Sequence, residues 1–239
     1  MVADRRRRFV TQREYPRLAL VETRAADGAL SLTAPGADAI ALPGLSTAAT
    51  SDEVVVWRSH VRGFDAGDAA AQWISSFLGT PLRIVRFDRS KPRMCNPEHA
   101  GDSGAHTMFS DGYPLLIIGQ ASLDDLNMRL ESKGAQPLPM NRFRPNVVVT
   151  GLDPYDEDHL DTLESDGVTL RLVKPCVRCK VTTIDQASGR AGFEPLPTLA
   201  TYRRNDAFAG VTFGMNAIVV GGAGRALTAD ATASVAYRF

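Results

Sequence analysis

The chain has 239 residues, 44% of them hydrophobic and 23% charged, with 27 Lys and Arg balancing 27 Asp and Glu. That composition suits a soluble globular protein with one sizeable core or two small ones. The balanced charge argues against nucleic acid or an anionic membrane as the main partner, and no apolar run approaches a membrane span. Three cysteines, Cys95, Cys176 and Cys179, are too few for a disulfide framework, so a reducing compartment, the cytoplasm, is expected.

The chain opens with Val2-Ala3, four arginines (Arg5 to Arg8) and Phe9-Val10, which reads as a β-hairpin with the charges at its solvated tip. No apolar segment follows the arginines, so they do not begin a secretory signal. Arg17 to Val21, Gly28 to Thr33 and Val54 to Arg58 have strand character, interrupted by Gly36, Pro43 and Gly44. Asp68 to Leu78 is the first helix, with Ala69, Trp73, Ile74, Phe77 and Leu78 as its apolar stripe and Gly79 and Pro81 as its stop. Leu82 to Phe87 is a strand, and Asp88 to Met108, rich in Pro, Gly, Asn and His, reads as a long loop.

Leu115 to Ile118 is a buried strand. Ser122 is expected to cap a helix, with Asp125 completing the capping box and Leu123, Leu126 and Leu130 forming its buried face up to Gly134. Beyond Pro137 and Pro139, strands are expected at Asn146 to Thr150, Val168 to Val173, Lys180 to Ile184, Ala217 to Val220 and Ala231 to Tyr237. The fold class is therefore mostly β (α+β) with a few helices, and strands at this spacing suit a barrel.

Three short motifs carry chemistry. Cys176-Val-Arg-Cys179 precedes Thr182-Thr-Ile-Asp185. A lone Cys-x-x-Cys fits half a zinc site, a redox pair or a thiolate ligand. The four histidines supply no ligand-spaced pair to complete a zinc site, and the expected strand after Cys179 differs from the helix of a thioredoxin motif. Arg142-Phe-Arg-Pro-Asn146 offers planar cationic donors. On an extended segment Arg142, Arg144 and Asn146 would share one face while Phe143 points inward. Ser110-Asp-Gly-Tyr-Pro114 is a turn in which Gly112 would let backbone approach a ligand. Two lookalikes are set aside. Gly101-Asp-Ser-Gly104 lacks the companions of a protease nucleophile loop, and Gly221-Gly-Ala-Gly224 lacks a following helix and acidic residue, so it is a turn.

In this order and spacing, the three motifs resemble the MOSC proteins, the molybdenum-cofactor-binding family that includes amidoxime-reducing and hydroxylaminopurine-reducing members. The resemblance implies an N-terminal β domain over residues 1–100, incomplete here, and a MOSC barrel over 101–239. It implies that Cys179 ligates molybdenum and is catalytic, and that Asp111, Gly112, Tyr113, Arg142, Arg144 and Asn146 contact the cofactor. The activity implied is reduction of N-hydroxylated compounds, with electrons from a separate flavin or iron–sulfur protein. The alternative within the family is a non-catalytic cofactor-binding or sulfur-carrier module using Cys179, though no pyridoxal phosphate desulfurase domain accompanies it. Relatives begin with a Lys-Ser pair and an Asp-Arg-Arg-Trp-like segment that bind cofactor phosphate. Met1 aligns just after these, so the expectation is a start placed downstream of the true one.

Overall fold

Residues 1–26, 29–42, 44 and 50–238 are described by a computed structural model, in which strands dominate. Gly28 and Pro43, both invoked in the sequence reading, lie outside the described residues. The chain clusters into two compact units. One comprises Met1–Arg93 with Ile184–Gly192, the other Met94–Thr183 with Phe193–Phe239.

In the first unit, β1 (Val2–Ala3) and β2 (Phe9–Val10) form the expected hairpin. Its tip is held by the Asp4 carboxylate, which accepts the Arg6 and Arg8 amides at 2.8 and 2.9 Å. The segment read as a strand at Arg17 to Val21 is instead a 3₁₀ turn, Pro16–Leu20. Pro16 lacks an N–H and pre-sets φ for a first helical position, and Leu18, Ala19 and Leu20 behind it are helix formers. The three strands β3 (Glu22–Ala26), β4 (Ala29–Ala34) and β5 (Ala37–Leu42) form a meander, and only β4 was expected. The strand expected to reach Arg58 ends earlier, as β6 (Asp52–Val56). Trp57 then turns with φ of 56° into an unforeseen β7 (Ser59–Asp65).

Helix α1 (Asp68–Leu78) has the expected bounds, with Gly79 closing it in the left-handed conformation at φ 71°. Its buried face is Ala70, Ala71, Ile74 and Phe77, whereas Ala69 is exposed. Strand β8 (Arg83–Phe87) follows, and the sheet order is β2-β1-β8-β7-β6.

The stretch expected to be a loop from Asp88 to Met108 contains β9 (Arg93–Met94), the short α2 (Pro97–Ala100) and β10 (His106–Thr107). Asn96 caps α2 by accepting the Glu98 amide at 3.1 Å. After β11 (Leu115–Gly119) comes α3 (Gln120–Glu131), which buries Leu123, Leu126 and Leu130 as expected. Ser122 does not cap it. The N-cap is Gly119, and Ser122 lies inside the helix, fully buried. Its hydroxyl donates to Glu157 at 2.7 Å and accepts the Tyr155 amide at 2.8 Å, so a tertiary polar network captured the residue that looked like a cap. Asp125 pairs with Arg129 at 2.7 Å rather than reaching back to the helix start.

The second unit is built on a seven-stranded sheet. Strands β12 (Val147–Val149), β13 (Leu160–Ser165) and β14 (Val168–Val177) precede the short α4 (Leu196–Ala200). Then come β15 (Arg204–Asn205), β16 (Gly210–Gly221) and β17 (Ser234–Tyr237), and the order is β12-β11-β16-β14-β13-β17 with β15 beside β16. Only the β11–β12 pair is parallel among the paired strands of this sheet. One core holds Ile117, Leu163, Leu170, Leu172 and Met215. A second holds Ile118, Leu126, Leu130, Phe143, Leu199 and Phe213. Gly214 sits between them at φ 75°. A Cβ there would fall 2.6 Å from the Ile118 side chain and 2.8 Å from the Ile117 carbonyl oxygen, so glycine is required.

Candidate functional site

The site grows from a bent strand. Pro175 cannot donate to a ladder, and β14 carries register shifts against β16 between Leu172 and Lys174 and again between Pro175 and Val177. The Asn216 side-chain amide, 3.2 Å from the Lys174 carbonyl, donates into this irregular stretch. Beyond the bend β14 ends at Val177, just after the first thiol of the Cys-x-x-Cys. Lys180 to Ile184, expected to be a strand, is a 3₁₀ turn at Lys180–Thr183 instead. Its Thr182 and Thr183 hydroxyls donate to the carbonyls of Cys179 and Lys180 at 2.9 and 2.8 Å. These local bonds fold a β-branched run into a turn. The ground on which a helical redox motif was set aside is thereby corrected: the strand runs through Cys176, and a 3₁₀ turn follows Cys179.

None of the three cysteines is in a disulfide. Cys95 is buried, while Cys176 and Cys179 are half-buried. Burial pushes the Cys176 thiol up, and the neighbouring Arg178 guanidinium only partly offsets that. Arg178, singled out by no sequence argument, holds the loop together. It donates to Cys176 Sγ at 3.0 Å and to the Phe143 carbonyl at 2.7 Å, and its Cζ lies 5.6 Å from the Phe143 ring centre. Its Nε is buried with no hydrogen-bond partner among the described residues. The signal available was an arginine between two thiols, which reads locally as a cation for a thiolate.

The arginine segment is not the extended strand that alternation suggested. Met140–Arg142 is a 3₁₀ turn, and Arg144 adopts φ of 56° before Pro145. Phe143 points into the core as expected, with its ring centre 4.4 Å from that of Phe213. Arg142 donates to the Thr183 carbonyl at 3.1 Å, tying the arginine loop to the thiol turn. Arg144 and Asn146 are exposed. The Asn146 Oδ1 accepts the Leu116 amide at 2.9 Å, which leaves Nδ2 as the donor it can offer a ligand.

In the third motif, Asp111 and Gly112 are exposed. Asp111 is near enough to act electrostatically on Cys176. Apart from its chain neighbours, no atom of the described residues lies within 4 Å of where a Gly112 Cβ would stand, so the space beside it is open. The Tyr113 ring is buried against Cys95, Ala100 and Ile218. Burial pushes its hydroxyl up to about 12, so this side chain serves packing. Its ring centre lies 6.4 Å from that of His99, which is 6.1 Å from that of Phe208.

No group of three or more His, Cys, Asp or Glu able to hold a metal ion occurs among the described residues. A cavity of about 350 Å³ lies in the first unit, lined by Arg7, Asp52, Asp65 and Arg83 among others. Its charges pair with one another, Arg7 with Asp52 at 2.9 Å and Arg83 with Asp65, and none of the predicted site residues lines it.

Fold and site together define a mostly β protein in which a half-buried Cys-x-x-Cys turn is tied through Arg142 and Arg178 to a loop carrying the exposed Arg144 and Asn146. Residues 104–229, just over half the chain, match the MOSC domain, and residues 1–81 match the MOSC N-terminal beta barrel domain. The chain belongs to the MOSC family. It is similar to mitochondrial amidoxime reducing component 2 of Bos taurus, 39% identical over 83% of this chain and 59% of the relative. It is also similar to mitochondrial amidoxime-reducing component 1 of Homo sapiens, 38% identical over 86% of this chain and 61% of the relative. The chain thus spans about three-fifths of the length of these relatives. A solution structure of a Bordetella bronchiseptica protein is 28% identical, covering 41% of this chain and 77% of that one, with a TM-score of 0.36, too low to speak for the fold.

Proposed function

We propose that the protein is a molybdenum-cofactor-dependent reductase of N-hydroxylated compounds such as amidoximes and N-hydroxylated bases. The observation that carries this reading is the joining of two loops. Arg142 and Arg178 tie the thiol turn to the arginine loop, so Cys179, Arg144 and Asn146 belong to one assembly. The donor set fits the group: a thiolate is a soft ligand for molybdenum, and buried or planar cationic donors suit an anionic pterin phosphate. The buried Arg178 Nε has no acceptor among the described residues, so the thiol loop keeps an unsatisfied polar atom.

In this reading Cys179 ligates the metal. Arg144 and the Asn146 amide donate to the pterin edge or its phosphate, and the backbone at Asp111, Gly112 and Tyr113 closes another side. Arg142 acts indirectly, by fixing the Thr183 carbonyl. When bound, the cofactor would supply the two electrons that, with two protons, release the substrate's hydroxyl oxygen as water. Electrons would be replaced by a separate flavin or iron–sulfur protein. The three cysteines, none of them in a disulfide, suit a reducing compartment, the cytoplasm in this reading, whereas the relatives are named as mitochondrial.

The test is turnover of benzamidoxime with a chemically reduced viologen as electron donor. Protein from cofactor-competent cells should oxidise the viologen only when substrate is present, and Cys179→Ala should not. Equal rates in wild type and Cys179→Ala would overturn the proposal.

A further inference from the structure

We infer that Arg178 is a positioning residue that sets the geometry of the Cys179 thiol relative to the arginine loop. The inference rests on the functional reading above for its consequence, but the clamp itself is a property of the apoprotein. A guanidinium is a rigid planar fork whose several N–H groups point in fixed directions, so two acceptors bound at once fix their mutual placement. Here one prong takes Cys176 Sγ at 3.0 Å and the other takes the Phe143 carbonyl at 2.7 Å.

Both ends of the fork are anchored. Arg178's own amide donates to the Val211 carbonyl at 2.7 Å, which fixes it to β16 just before Cys179. On the far side, Phe143 is held by its buried ring, and it lies directly before Arg144. The thiol next to Arg178 and the cation next to Phe143 are therefore joined through one side chain. The same geometry gives Cys176 a role distinct from that of Cys179: its sulfur is the acceptor that orients the fork, and the metal ligand is the cysteine on the other side of Arg178. A lysine in place of Arg178 would keep the charge but, as a point donor on a flexible stem, would not reproduce the fork.

Outer partners that orient a metal ligand cost roughly 10–100-fold in metal affinity when removed. Arg178→Ala should therefore lose at least about tenfold of the molybdenum retained through dialysis, and Arg178→Lys should recover only a minor part. The molybdenum that remains should show a shifted Mo(V) electron paramagnetic resonance spectrum, because the thiolate approaches at a changed angle.

In protein from cells that make no cofactor, hydrogen exchange should quicken together in residues 140–146 and 177–183 of Arg178→Ala, with β13 unchanged. Reduced loading with a wild-type spectrum would make the residue merely structural and overturn the inference, as would unchanged exchange in both loops. Wild-type protein without molybdenum would overturn the functional reading instead. The exchange result would still decide the clamp, and Arg178→Lys carries the comparison should the alanine variant fail to fold.

Discussion

Replacing Phe143 by alanine tests how the arginine loop is held in place. The ring is almost fully buried, stacked at a tilt of 33° on Phe213 and surrounded by Ile118, Leu126, Leu130 and Leu199. Removing a buried Phe costs about 3–5 kcal/mol, because both transfer energy and cavity formation count. At about 2–4 °C per kcal/mol for a chain of this size, the midpoint should fall by roughly 6–20 °C. Arg178 grips the Phe143 carbonyl, a backbone atom that alanine keeps, so the loss should come from the core and not from the clamp. Phe143→Leu, which refills most of the space, should recover the larger part. Differential scanning calorimetry on cofactor-free protein gives the shift. A fall below about 2 °C in Phe143→Ala would refute the view that this ring anchors the loop.

Arg203 and Asp158 form a largely buried ion pair, with Arg203 also lying 4.5 Å over the Tyr155 ring. Arg203→Leu should cost about 3–5 kcal/mol by stranding the carboxylate, and adding Asp158→Asn should return much of it in a denaturant double-mutant cycle. Strictly additive losses would contradict the pairing. Glu157 is fully buried, and burial raises its carboxyl above the ordinary 4.5 despite the Ser122 hydrogen bond. The folded state thus keeps a proton that the unfolded chain has released. Stability should be greatest below about pH 4.5 as far as this group is concerned and should fall as pH rises through the folded-state value. Glu157→Gln should flatten that part of the urea-midpoint profile, and an unchanged slope would assign the pH dependence elsewhere.

Periodicity made the two long helices legible, while the short α2 and α4 were not foreseen. The bounds of α1 and the buried leucines of α3 follow from apolar spacing and glycine stops, signals that local physics controls. Strand β13 was also within reach, since Asp166-Gly167, with φ of 53° and 69°, is a hairpin turn between it and β14. The failures came where side-chain hydrogen bonds, distant or local, override propensity. Ser122 looks like a cap but serves Glu157, thirty-five residues away, and Thr182-Thr183 look like strand residues but bond backward to nearby carbonyls. At the candidate site, Cys179, Arg144 and Asn146 are proposed from the motifs, and the fold ties their two loops together through Arg142 and Arg178. The contacts of Arg178 were not legible in the motifs, because they depend on Phe143 being brought to its side by the fold. The segment 184–192, which clusters with the first unit, was equally invisible to local reading.

The most direct test of the account is the molybdenum and pterin content of the wild-type protein, Cys179→Ala and Cys176→Ala, each purified from cofactor-competent cells. Stoichiometric molybdenum in wild type, absent from Cys179→Ala and largely kept in Cys176→Ala, is the predicted result. Equal loss in both variants, or wild-type protein that holds no molybdenum, would contradict the assignment of Cys179 as the metal ligand.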